Sequence, residues 1–145
     1  MGIKFKKFTP DLMVSDVATT VKFYTKKLGF KLDMLVPENE KTMETNLIDD
    51  KEYIYAMLSR DEVFVMFMRK DVYAADIPAL SGVPIGASAA FYCGVENVGE
   101  LYHSYEENGV PIIKDIATTW YGMKEFYIRD CHGYILGFAE PAPRP

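Results

Sequence analysis

Two stretches of this chain repeat one another, and the repeat limits what the chain can fold into. Val14-Ser15-Asp16-Val17 opens a segment that closes at Gly29, and Val95-Glu96-Asn97-Val98 opens one that closes at Gly109. Each stretch pairs a short apolar strand with a helix that begins on a capping residue and stops on a glycine. Self-similarity of this kind marks a duplicated structural unit. It implies two copies of one strand–helix–strand module, and so a cup of two curved sheets.

The local patterns fill in each copy. Lys6 to Val14 reads as a strand with Phe8, Leu12 and Val14 on one face, and Pro10 places it at an edge or bulge. Asp16 suits an N-cap, and Val17, Val21, Tyr24 and Leu28 follow at helical spacing. Phe30 to Val36 is the next strand, and the charged run from Pro37 to Glu52 is a loop. Tyr53–Ser59 and Glu62–Met68 are strands joined at Arg60-Asp61. Pro78, Gly82, Pro84 and Gly86 mark a linker, with a short helical turn between Val72 and Leu80.

The second copy begins with a strand from Ala87 to Val95. Asn97 and Glu100 read as a capping box, and Val98, Leu101, Tyr102 and Tyr105 as the helical stripe. Pro111–Asp115 is a short strand, and Met123–Arg129 and Tyr134–Glu140 flank a turn at Asp130-Cys131-His132-Gly133. The expected class is α+β, with two βαβββ modules in tandem around a cup-shaped mixed-sheet cleft. The modules span about 1–70 and 87–140 of a single domain, with the linker at about 70–86.

Charge narrows the partners. The net charge is −5, and residues 73–145 supply all of it, with four basic and nine acidic side chains. Phosphate backbones are repelled, so no nucleic acid is expected, whereas a cationic small molecule is attracted. No apolar run approaches the ~20 residues that span a membrane, so no membrane partner is expected. The opening residues lack the apolar stretch of a signal peptide, and Cys93 and Cys131 do not make a disulfide framework. The cytoplasm is the default location.

Four stretches resemble the vicinal oxygen chelate superfamily, which includes glyoxalase I, extradiol dioxygenases and bleomycin-resistance proteins. They are Asp11 to Val17, Phe23-Tyr24 with Leu28-Gly29-Phe30, Val95 to Leu101, and Glu125 to Tyr134. Cys131-His132 departs from the Pro-Asp usual in the last motif. The resemblance implies the tandem fold over almost the whole chain. It leaves chemistry open, because one fold hosts many activities.

Enzymes of that superfamily hold a divalent metal in the cleft. Carried over one position at a time, the ligand places fall on Thr9, Met66, Ala90 and Gly137. None is a usual donor, so the inherited metal site reads as erased and no cofactor is expected. His103, on a helix, and His132, in a turn, are expected at the surface. Cys93 is expected to point toward the helix, and Glu140 falls on the strand face opposite Gly137.

Strand alternation then gives the wall of the cup. Asp11, Met13, Tyr55, Met57, Phe64, Met66, Tyr92, Glu125 and Tyr127 are expected to line it, with Trp120 and Tyr121 at its rim or in a dimer interface. Ala90, Gly94 and Gly137 are small and are expected to leave a cavity. Methionines adapt to irregular ligands, and aromatic faces stack on rings and attract cations. The expected function is that of a metal-free binding protein similar to bleomycin-resistance proteins, a homodimer that sequesters an aromatic, cationic ligand. The alternatives are a metal-dependent glyoxalase-type lyase, isomerase or dioxygenase with displaced ligands, and a regulator whose partner is a protein.

Overall fold

A computed structural model describes residues 2–86 and 88–143. The first module runs β1 (Asp11–Val14), α1 (Val17–Lys26), β2 (Lys31–Pro37), β3 (Tyr53–Arg60) and β4 (Val63–Arg69). A connecting α2 (Lys70–Asp76) and a 3-10 turn (Pro78–Leu80) follow. The second module runs β5 (Ala90–Gly94), α3 (Val98–Glu107), β6 (Ile112–Thr118), β7 (Met123–Arg129) and β8 (Ile135–Pro141). Both modules are βαβββ, as the repeat requires.

The two sheets have the same topology, β1-β4-β3-β2 and β5-β8-β7-β6. In each, the first strand runs parallel to the last and the remaining pairs are antiparallel. The helices lie between the sheets. Val14, Val17, Val21, Tyr24, Leu28, Leu58 and Phe67 from the first module and Val98, Tyr105, Phe126, Leu136 and Phe138 from the second bury into one apolar core. Each fully buried Leu, Val or Phe among them contributes about 1.5–3 kcal/mol. The opposite face of each sheet is left uncovered by its own helix.

Helix α1 starts as the sequence implies, with the Asp16 carboxylate accepting from the Thr19 amide at 3.0 Å. Helix α3 does not. Asn97 adopts a left-handed backbone, φ 60°, and its side chain caps nothing. The Glu140 carboxylate of β8 accepts from the Asn97 and Val98 amides at 3.2 and 2.9 Å instead. The expected capping box is therefore replaced by a charge from another strand, which also complements the helix dipole. Gly29 and Gly109 end the helices at φ 78° and 72°, where a side chain would be strained.

The first strand is shorter than expected. It begins at Asp11, not Lys6, because pairing with β4 starts only where the Met66 amide donates to the Pro10 carbonyl. Phe8, expected on a buried strand face, is 99% exposed. The outer edge of β1 is covered by hydroxyls: Tyr73 donates to the Asp11 carbonyl and Tyr134 to the Met13 carbonyl. The strand expected from Ala87 begins at Ala90, and Ala87 itself lies outside the described residues. No helix among the described residues is long and apolar enough to cross a membrane.

Candidate functional site

The uncovered face of the second sheet is built in rows. Strand register aligns Tyr92, Gly137, Tyr127 and Lys114, and beside them Gly94, Ala139, Glu125 and Ala117. Alternation sends Cys93, Phe126 and Phe138 to the other side, toward the core. In the first row the glycine governs the geometry. A Cβ on Gly137 would sit 2.5 Å from the Tyr127 ring, so the glycine lets that ring lie across β8. The small residue was expected to leave a void; the ring takes the space. Gly94, with nothing within 4 Å of its own Cβ position, does face open space.

In the second row a carboxylate stands among small residues. The Glu125 side chain is 2% exposed. Its Oε1 accepts from the Tyr121 hydroxyl at 2.8 Å and the Tyr92 hydroxyl at 3.1 Å, and its Oε2 has no partner. Burial alone would raise this carboxyl. The hydroxyls of Tyr121, Tyr92 and Tyr127 and the charge of Lys114 outweigh it and hold the group below its ordinary value. The tyrosines respond in the opposite sense: burial and the Glu125 charge push Tyr92 up to about 12. Tyr92 and Tyr127 lean toward one another with ring centroids 6.3 Å apart, and the Lys114 ammonium lies 5.6 Å from the Tyr127 centroid.

Trp120 and Tyr121 occupy the tip of the β6–β7 hairpin, closed by the Gly122 amide donating to the Thr119 carbonyl. Trp120 is 95% exposed and meets Tyr121 edge-on at 5.4 Å. Tyr121 turns inward to Glu125.

The first sheet carries its own rows on the corresponding face. Asp11, Met66, Met57 and Met34 align across β1, β4, β3 and β2, with Met13, Met68, Tyr55 and Val36 beside them. Asp11 is half-buried with Oδ1 unpartnered. Burial raises its carboxyl; the Tyr73 hydroxyl partly offsets this and the Asp76 charge adds to it. Met13 is itself buried, and Phe64, farther along β4, has the Lys7 ammonium 3.1 Å from its ring centroid. The predicted wall residues thus gather in two sets, one on each sheet. Met34 and Lys114 were missed. Their signal was a bulged register in β2 and β6, which alternation counted from the neighbouring strands does not carry.

The residues present do not fit the divalent metal that such folds hold. Thr9, Met66, Ala90 and Gly137 offer no donor set, and the Tyr127 ring covers Gly137. Among the described residues no three His, Cys, Asp or Glu side chains group to hold an ion. His103 is exposed near Glu106. His132 is half-buried, contrary to the surface expectation, with its ring nitrogen 2.8 Å from the Thr20 hydroxyl. A groove of about 840 Å³ lies elsewhere: it follows the seam between modules, past Arg60, Glu62, Cys93, Asn97 and Tyr105.

Residues 7–138 match the family model of the Glyoxalase/Bleomycin resistance protein/Dioxygenase superfamily. No curated protein sequence matches the chain. Among solved structures, TioX from Micromonospora sp. ML1 is 17% identical, with 94% of this chain and 99% of that one covered at a TM-score of 0.68. A glyoxalase-related enzyme from Clostridium phytofermentans is 23% identical over 97% and 98%, also at 0.68. The bleomycin-binding protein from Streptomyces verticillus, solved with copper(II)-bleomycin, is 18% identical over 99% and 100%, at 0.62. These likenesses establish the fold.

Proposed function

This chain belongs to the glyoxalase/bleomycin resistance protein/dioxygenase superfamily, and from that premise we propose that it is a metal-free binding protein for an aromatic, cationic small molecule. The observation that carries the reading is the second sheet's open face. It holds half-exposed Tyr92 and Tyr121 and a fully displayed Trp120, while the positions where the resemblance places a metal carry no usual ligand. Aromatic side chains left in water on a concave sheet face offer a stacking surface that a well-packed core would have consumed. A protein of the same fold, the bleomycin-binding protein from Streptomyces verticillus solved with copper(II)-bleomycin, supports a small-molecule-binding reading.

The protein acts as a homodimer in this reading. Each chain presents two separate half-walls, and a second copy completes the cleft by setting the first sheet of one chain against the second sheet of the other. Exposed Ile3, Phe5 and Phe8 on the segment before β1 supply further apolar surface for association. The rival reading, a metal-dependent lyase, isomerase or dioxygenase, needs several converging donors, which these faces lack.

The test is elemental analysis joined to ligand titration. Protein purified without chelator or affinity tag should carry less than about a tenth of an equivalent of transition metal, unchanged by soaking in Ni, Zn, Mn or Fe. It should also quench Trp120 emission on adding planar aromatic compounds. Stoichiometric metal overturns the reading.

A further inference from the structure

Glu125 is the feature of the open face that packing alone does not explain. A core position on a sheet ordinarily takes an apolar residue, and a buried charge needs partners for both oxygens. Here one oxygen receives two hydroxyls and the other makes no hydrogen bond, although the Tyr127 hydroxyl lies close enough to favour the charged form. Lys114, whose charge favours the ionised carboxyl, lies over the Tyr127 ring and forms no ion pair with Glu125. Around the carboxylate the strand neighbours are Ala139, Ala117 and, one strand farther, Gly94, so space is reserved on the sheet side.

The two hydroxyls on Oε1 come from side chains that reach into solvent. Tyr92 and Tyr121 are each about half exposed, and Tyr121 stands on a hairpin tip beside Gly122, whose φ is 85°. Turning Tyr121 outward breaks one hydrogen bond to Oε1 and no strand pairing. The hydroxyls keep the group ionised, which a neutral hydrogen-bonding role would not require.

We propose that Glu125 is the anchor for a planar aromatic cation, whose protonated nitrogen donates to Oε2 while its rings lie against Tyr92 and Tyr127. The proposal rests on the ligand-binding reading above and adds the ligand's donor and its point of attachment. A charge-assisted N–H···O⁻ bond fills the vacant acceptor, and tyrosine faces favour the same positive charge. Tyr121 is a lid in this arrangement, displaced by the ligand, and Trp120 beside it reports the displacement.

The experiment uses proflavine, a planar tricyclic cation at neutral pH, and acridine, the same ring system uncharged. Binding is followed by the emission of Trp120, the chain's single tryptophan. Proflavine should bind at least about tenfold more tightly than acridine, the difference a single charged hydrogen bond supports. Glu125→Gln should bring proflavine down to the level of acridine and leave acridine unchanged. Tyr121→Phe, a change on an exposed turn, should widen the preference for the cation by removing a hydroxyl that shares the carboxylate's negative charge. Equal affinities in the natural chain, or a preference that survives Glu125→Gln or narrows in Tyr121→Phe, overturn the anchor and leave the binding reading standing. If neither compound binds, both fall.

Discussion

The Tyr24 hydroxyl on α1 donates to Asp130 Oδ2 at 2.7 Å, joining a helix of the first module to the β7–β8 turn of the second across 106 residues. The repeat supplies a counterpart. Tyr105, at the equivalent place on α3, donates to the Leu28 carbonyl at 2.8 Å and accepts from Arg60 at the β3–β4 turn at 3.3 Å. Each helix therefore reaches the hairpin of the other module. This reciprocal lock merges the helical sides of the modules into one core and leaves both remaining sheet faces open for other contacts.

Tyr24→Phe should cost about 1–3 kcal/mol, because it strands a buried carboxylate oxygen. The other Asp130 oxygen is already occupied by the His132 and Tyr134 amides, so the turn cannot rearrange to compensate. Tyr105→Phe should cost less, since Arg60 still donates to the same Leu28 carbonyl at 2.6 Å. Urea unfolding of the two variants checks the order; a smaller loss in Tyr24→Phe would refute the lock.

Stability should fall at high pH. Burial, with the Asp130 charge adding to it, holds the Tyr24 hydroxyl well above its ordinary 10.0, and burial raises Tyr105 to about 12 despite the opposing Arg60 charge. Both folded values lie above the unfolded ones, so this stabilisation is complete below pH 10 and is lost as pH climbs through the folded values. The urea midpoint should fall steadily above pH 10, and less steeply in Tyr105→Phe.

Much of this fold was legible because its signals are local. The stripe Val17-Val21-Tyr24-Leu28, the Asp16 cap and the two glycine stops depend on spacing alone. The start of β1 was not legible, since a strand exists only where a neighbour bonds it and the described residues before Pro10 pair with no strand. Asn97 looked like a cap because Glu140, which does the capping, is 43 residues away in sequence. Alternation identified Tyr92, Glu125 and Tyr127 as sharing a face. It said nothing about the vacant Oε2, which depends on where the Tyr121 hydroxyl turns in three dimensions.

Gly137→Ala should show that the tyrosine wall is built on a glycine. The added methyl would lie 2.5 Å from the Tyr127 ring, which must tilt away from β8. Overpacking of this kind costs about 1–3 kcal/mol. The displaced ring also changes its angle to Tyr92, so the near-UV circular dichroism should change while the far-UV spectrum does not. An unchanged near-UV spectrum would mean that Tyr127 does not rest where the structure puts it.

The borrowed cap on α3 predicts that Glu140→Ala destabilises the protein by about 0.5–2 kcal/mol, as loss of a conventional N-cap does. Two amides lose their acceptor at once. Asn97→Gly should be neutral or mildly stabilising, since glycine adopts φ near 60° without strain, whereas Asn97→Val should be costly. Thermal melts of the three variants test this; equal losses for glycine and valine would contradict the left-handed backbone.

The proposed dimer makes its own prediction, because the segment before β1 leaves Ile3, Phe5 and Phe8 at 94, 92 and 99% exposure in one chain. Three large apolar side chains on one short segment offer a surface for a partner, and Lys4, Lys6 and Lys7 between them add positive charge that complements the acidic second module. Sedimentation should show a dimer at micromolar concentration. Replacing Phe5 and Phe8 by Ser should shift it toward monomer, and raising the salt should weaken association further. Ligand affinity should fall in step, since in the proposed dimer the first sheet of one copy would close the site on the second sheet of the other. A monomeric natural chain that binds proflavine at full strength would break that link and confine the site to the face around Glu125.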